Sequence, residues 1–188
     1  MEISISLYQD LRTIVEQALY LHPDQTPPSI DPEQLETVAS YAIDRHRVGA
    51  FIYGWMRRYD DPTPHIPEAY AEAYQRNGLQ QLAQQAAHRK IENILTKEDI
   101  RLVPIKGLSL ANELYAHPGW RQARDIDLLV APQHFRAAIQ CLIDHKFILK
   151  TPEHWDEQGR HQNGALKQKD ISFLDPSSNI IIELHQLT

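Results

Sequence analysis

Asp125-Ile126-Asp127-Leu128-Leu129-Val130 is the stretch of this sequence best suited to chemistry. Side chains alternate between the faces of a strand, so Asp125 and Asp127 project to one side and Ile126 and Leu128 to the other. Two carboxylates one strand period apart are close enough to share a divalent cation. Mg²⁺ favours such oxygens together with the phosphate oxygens of a substrate. The same spacing also fits a strand whose outer face is merely acidic.

Upstream, Val103-Pro104-Ile105-Lys106-Gly107-Leu108-Ser109 reads as a strand that enters a helix through a glycine. A helix N-terminus offers free N–H groups and the positive end of a dipole, which suits a phosphate. Glycine lets a ligand approach the backbone and Lys106 adds a charge, although an ordinary tight turn has the same sequence. Downstream, Glu183 interrupts the apolar run Ile181-Ile182-Glu183-Leu184-His185. A buried glutamate is costly unless a metal, an arginine or water stands beside it. Arg121 and Arg124 precede the aspartates and suit either phosphate binding or neutralisation of Asp125 and Asp127 in a metal-free protein. His154, His161 and His185 match no standard zinc spacing and suit exposed or hydrogen-bonded roles. His185 nevertheless shares a strand face with Glu183 and can enter the same pocket. Trp155–Gly164 is a polar loop that suits either an acceptor site or disorder.

The elements that must hold these residues follow from periodicity. A first helix is predicted over Ser4–Leu21, from Leu7, Leu11, Ile14, Ala18 and Leu21, with a proline loop over 23–30. Asp31-Pro32-Glu33-Gln34 reads as a helix start in which Asp31 caps and Gln34 reaches back to the cap. Leu35, Val38, Ala39, Ala42 and Ile43 then form one face, and Gly49 and Gly54 suggest a break before Tyr59. After a proline-rich loop over Asp60–Pro67, a long helix is predicted over Glu68–Asp99. Its stripe is Tyr70, Ala73, Tyr74, Leu82, Ala86, Ile91, Ile94 and Leu95, with an interruption at Asn77-Gly78 and a solvated face over Gln80–Ala87. Beyond residue 100 the period shortens. Strands are predicted over Arg101–Ile105, Asp125–Val130, Phe147–Lys150, Ile171–Leu174 and Ile180–Leu184, with helices over Leu108–Tyr115 and Pro132–His145. The reading is an α+β chain in two parts, a helical region at 1–99 and a part of alternating strands and helices at 100–188.

Composition limits the partners. The 188 residues are 42% hydrophobic and 23% charged, as in a soluble globular protein, with a formal net charge of −6. An acidic total argues against gripping extended duplex nucleic acid. The excess lies in the first hundred residues, which hold nine basic and fifteen acidic side chains against ten of each afterwards. The single cysteine, Cys141, excludes an intramolecular disulfide and a thiolate metal cluster, and its apolar neighbours predict a buried spectator. Met1-Glu2-Ile3-Ser4-Ile5 shows no basic segment followed by a long apolar one, and no apolar run approaches the length that spans a bilayer, so no secretory signal, a cytoplasmic location and no membrane partner are expected.

The order of these pieces resembles the nucleotidyltransferase superfamily with the DNA polymerase beta fold, and within it an uncharacterised bacterial branch. The resemblance is carried by Lys106-Gly107, Leu110, Tyr115, Pro118, Arg121, Asp125 to Val130, and Glu183-Leu184-His185, and covers about residues 100–188. It implies a polymerase-beta-like core at 100–188, a small mixed sheet flanked by helices, and metal-dependent transfer of a nucleotidyl group from an NTP to a protein or small-molecule acceptor. Asp125 and Asp127 would hold Mg²⁺ (or Mn²⁺) on the triphosphate, and Glu183 would ligate a second ion or act as general base, a two-metal arrangement. Lys106, Gly107, Ser109, Arg121 and Arg124 would contact the nucleotide. The sequence departs from the superfamily pattern at Gly107-Leu108, where Gly-Ser or Gly-Gly is usual, and Ser109 comes one residue late. That departure also suits a nucleotide-binding or toxin/antitoxin-like interaction module of the same fold with weak turnover. Metal dependence and pyrophosphate release distinguish the readings.

Overall fold

The computed structural model describes residues 5–20, 30–58, 65–150 and 170–186. The expected helix end at Leu21, most of both proline loops, and the Trp155–Gly164 loop with His154 and His161 lie outside them. The chain forms two compact units, Met1–Leu79 with Tyr115–Gln122 and Gln80–Leu114 with Ala123–Thr188. No helix among the described residues is long and apolar enough to cross a membrane.

The first unit is helical: α1 (Ile5–Tyr20), α2 (Pro32–Ser40), a π-helical turn (Tyr41–Arg45), α3 (Gly49–Met56), the start of α4 (Glu68–Thr96), and a 3₁₀ turn (Pro118–Trp120). Its core gathers Leu11, Ile14, Leu35, Val38, Ile52, Trp55 and Tyr70, and the Tyr70 hydroxyl donates to the Leu35 carbonyl at 3.0 Å. Asp31 caps α2 by accepting from the Glu33 N–H at 2.9 Å. Gln34 does not reach back to that cap. Its amide donates instead to Asp10 on α1 at 2.9 Å, because a carboxylate acceptor is the stronger partner.

The helical break falls earlier than the glycines suggest, at His46–Val48, where Arg47 takes a left-handed φ of 58°. Gly49 opens α3, and Gly54 serves as a seat: a Cβ there would overlap the Trp120 indole. Asn77-Gly78 does not interrupt α4, since the Asn77 amide is turned aside to donate to the Gly119 carbonyl.

The second unit is a five-stranded mixed sheet of β1 (Leu102–Ile105), β2 (Asp125–Val130), β3 (Ile148–Lys150), β4 (Asp170–Asp175) and β5 (Ile180–Gln186), in the order β1-β2-β5-β4-β3. Only β2 and β5 run parallel. As the edge strand, β1 tolerates Pro104. The sheet carries α5 (Gly107–Leu114) and α6 (Phe135–Asp144), the latter preceded by a 3₁₀ turn (Pro132–His134). One sheet face supplies Ile126, Leu128, Ile182, Leu184 and Phe173 to a core completed by Ile91, Leu95, Phe135 and Leu142. Cys141 is buried there too, as expected. The stripe of α4 differs from the apolar one expected. It passes through Gln81 and Gln84, which are 3% and 0% exposed, whereas Leu82 is 63% exposed. The Gln80–Ala87 segment is thus partly interior rather than a solvated face.

The β4–β5 turn is organised by Asp175, which is 1% exposed. Its carboxylate accepts from Lys90 Nζ at 2.9 Å, from Ser177 N–H and Oγ at 3.1 and 2.7 Å, and from Ser178 Oγ at 2.9 Å. Burial alone would raise its pKa, but the hydrogen bonds from Lys90, Ser177 and Ser178 outweigh it and bring the pKa from 3.8 down to about 2. A carboxylate depressed in the folded state contributes stability above its unfolded pKa and loses it as pH falls through the folded one. Chemical denaturation should therefore show about 2 kcal/mol disappearing between pH 4 and pH 2. Asp175→Asn should lose about that amount at neutral pH and flatten the acid limb.

Candidate active site

The second face of the sheet carries the charged residues. Period-2 alternation sends Ile126, Leu128, Ile182 and Leu184 inward, which leaves Asp125, Asp127, Glu183 and His185 on the opposite side. Parallel pairing of β2 with β5 sets Asp127 beside Glu183, and places Asp125 beside Ile181 and Leu129 beside His185. The start of β2 is held from α4. Gln84 donates from Nε2 to the carbonyls of Ala123 at 3.2 Å and Asp125 at 3.3 Å. A fully buried amide in that position satisfies backbone acceptors that would otherwise be stranded. Its signal in the sequence is the helical interval from Gln84 to Ala87 and Ile91, which places it on the buried stripe.

Lys106 joins this face from the β1–α5 junction. It takes a left-handed φ of 52°, and its carbonyl receives the Leu110 N–H at 2.8 Å to start α5. That conformation delivers the ammonium to Asp127 Oδ1 at 2.6 Å. His185 Nε2 lies 3.0 Å from the same oxygen and 3.6 Å from Glu183 Oε2. Donor atoms of Asp127, Glu183 and His185 all fall within 4.8 Å of one another. Asp127 is 4% exposed, so this acidic group is largely withdrawn from water.

The electrostatics reflect that crowding. Burial, then repulsion from Asp125 and Asp127, holds the Glu183 carboxyl above the ordinary carboxylate range, against the opposing pull of Lys106 and His185. The hydrogen bond to Asp127, reinforced by attraction to Asp127, Glu183 and Asp125, raises the Lys106 pKa despite some desolvation. Two carboxylates and an imidazole converging within 4.8 Å form a donor set that fits a divalent cation. The Lys106 ammonium on Asp127 marks where that set demands positive charge.

Among the sequence-derived candidates, Asp127 and Glu183 meet at one point, and Lys106 touches Asp127. Asp125 lies one strand period back on the same face, outside the group of three, with its charge felt by Glu183 and Lys106. His185 takes the third place in that group. Gly107 is buried at the first residue of α5. The Ser109 hydroxyl donates to Glu113 on its own helix at 3.1 Å. Arg124 is exposed at the entry to β2. Arg121 belongs to the helical unit, where it lines a cavity described below.

A family model described as an uncharacterised nucleotidyltransferase matches residues 31–187. No curated protein matches the chain.

Proposed function

Because the chain belongs to the family of uncharacterised nucleotidyltransferases, we propose that it transfers a nucleotidyl group from an NTP to a protein or small-molecule acceptor, with Mg²⁺ or Mn²⁺ held by Asp125, Asp127 and Glu183. The observation that carries this reading is the convergence of Asp127, Glu183 and His185 donor atoms within 4.8 Å, beside the junction that starts α5. A divalent cation held there would supply charge neutralisation of the triphosphate and Lewis-acid activation toward attack at phosphorus.

The chain's own residues do the rest. Gly107 and the N-terminus of α5 bind the triphosphate through free N–H groups, with Lys106, Ser109 and Arg124 contributing to nucleotide binding. An acceptor oxygen attacks the α-phosphorus, the bond from that phosphorus to the β-phosphate bridging oxygen breaks, and pyrophosphate leaves. Glu183 receives the acceptor's proton or steadies the cation. His185, hydrogen-bonded to Asp127, fixes the orientation of that carboxylate.

The test is calorimetric titration of each NTP with Mg²⁺, repeated with EDTA and with Asp125→Asn/Asp127→Asn, followed by pyrophosphate release in the presence of candidate acceptors. The expected result is NTP binding that needs both cation and aspartates, with pyrophosphate released when an acceptor is present. Binding indifferent to EDTA and to the double substitution would overturn the reading. Metal-dependent binding without pyrophosphate release from any acceptor would favour a nucleotide-binding module.

A further inference from the structure

The helical unit holds a cavity of about 330 Å³ that the proposed transfer chemistry does not use. Its wall combines the aromatic rings of Phe51, Tyr115 and Trp120 with the cationic side chains of Arg47 and Arg121. Phe51 meets Tyr115 at 6.2 Å and 90°, and Trp120 at 6.1 Å and 72°, so the three rings form one edge-to-face cluster. Trp120 is anchored against α3 by the close approach at Gly54. The Arg58 guanidinium also lies over the Trp120 ring, 4.4 Å from its centroid, so that ring is held from two sides.

Charge is distributed against the trend of the unit. Its residues include seven arginines and lysines against twelve aspartates and glutamates. Yet among the described residues the cavity lining contains two arginines and His46, and no carboxylate. Arg47 is half-buried, and among the described residues its guanidinium has no hydrogen-bond or ion-pair partner. It also occupies the left-handed region at φ 58°, a conformation that Gly or Asn would adopt more readily. The corner is pinned on one side by the His46 ring, packed edge-on against Tyr41 at 4.5 Å, and on the other by the Val48 carbonyl, which accepts from Ile52 N–H at 2.9 Å. A cation without a partner among the described residues, held on a strained backbone beside an aromatic wall, calls for an anionic partner with a flat apolar body.

We propose that this cavity binds a small aromatic anion, a planar ring system bearing a carboxylate or a phosphate. The ring packs against Phe51, Tyr115 and Trp120, and the anion is held by the guanidinium of Arg47. Its size places it at the small end of ligand pockets, which suits one or two fused rings. The site stands on its own observations and holds whether or not the sheet unit transfers nucleotides.

The experiment is isothermal titration of the full chain with 1-naphthoate, 1-naphthyl phosphate and the neutral 1-naphthalenemethanol. At least one anion is expected to saturate below about 1 mM, with the neutral analogue about tenfold weaker. Which anion binds more tightly distinguishes carboxylate from phosphate as the natural group. Arg47→Gly removes the guanidinium while relaxing the backbone, so it should fold normally, weaken the anion by about tenfold, and leave the neutral compound unchanged. Arg47→Asn, also tolerant of positive φ, provides the same reading should the glycine variant misfold. Asp127→Asn should not alter naphthoate binding. The proposal is overturned by no saturation with either anion, by equal affinity for the neutral compound, or by Arg47 variants that bind like the parent. Loss of binding in Asp127→Asn would place the probe elsewhere and overturn it as well.

Discussion

Asp127→Asn is expected to lower nucleotidyl transfer by roughly three orders of magnitude, about 4 kcal/mol of transition-state stabilisation, with little change in melting temperature. The two effects separate because of what surrounds the residue. Asn keeps the shape and an oxygen that can still accept from Lys106, whose side chain is 56% exposed and is not left as a buried bare charge. What is lost is the negative charge at the point where Lys106, His185 and Glu183 meet. Asp125→Asn should cost less, since the donor atoms converge at Asp127 and Asp125 stands outside that group of three. Steady-state pyrophosphate release, measured beside thermal denaturation, gives both numbers. A fully active Asp127→Asn, or a rank order in which Asp125 matters far more than Asp127, would remove the convergence at β2 and β5 from the mechanism.

That convergence was only partly legible in the sequence. Alternation within Asp125–Val130 and Ile180–Leu184 shows which side chains share a face, because a strand's period is fixed by its backbone. It does not reveal that β2 and β5 are parallel neighbours in the register that puts Asp127 beside Glu183, since that pairing joins segments 56 residues apart in numbering. The family resemblance supplied the expectation that the acids meet; periodicity alone could not. His185 was legible as sharing the face of Glu183, but its bond to Asp127 needed the cross-strand register.

The long helix shows a different limit. Apolar spacing predicts a buried stripe through Leu82, yet the interior of α4 runs through Gln81 and Gln84 while Leu82 is exposed. Gln84 is inside because the carbonyls of Ala123 and Asp125 need a donor there, a requirement set by the sheet and not by the helix. Gly54 and Asn77-Gly78 likewise read locally as helix breakers. Their reasons lie in the neighbours: the Trp120 indole against Gly54, and the Gly119 carbonyl for Asn77.

Lys106→Met should change cation and nucleotide affinity in opposite directions. In the absence of nucleotide, the ammonium lies 2.6 Å from Asp127 Oδ1 and competes for the carboxylate that a divalent cation needs. Removing it should tighten Mn²⁺ binding to the nucleotide-free protein by about tenfold. The same change should weaken NTP binding by at least about tenfold, because the charge beside Gly107 and the α5 N-terminus is then missing from the triphosphate. Methionine keeps the apolar stem, and both residues bear the same backbone penalty at a φ of 52°, so strain cancels in the comparison. The side chain is 56% exposed and sits at a strand–helix junction, which leaves it free to leave Asp127 for a phosphate. Manganese titration by paramagnetic resonance and NTP titration by calorimetry read the two affinities independently. If Lys106 only neutralises the carboxylate, the metal affinity rises and the NTP affinity stays as it was. If both fall together, the lysine holds Asp127 in place instead of competing for it, and the hand-over from carboxylate to phosphate is wrong.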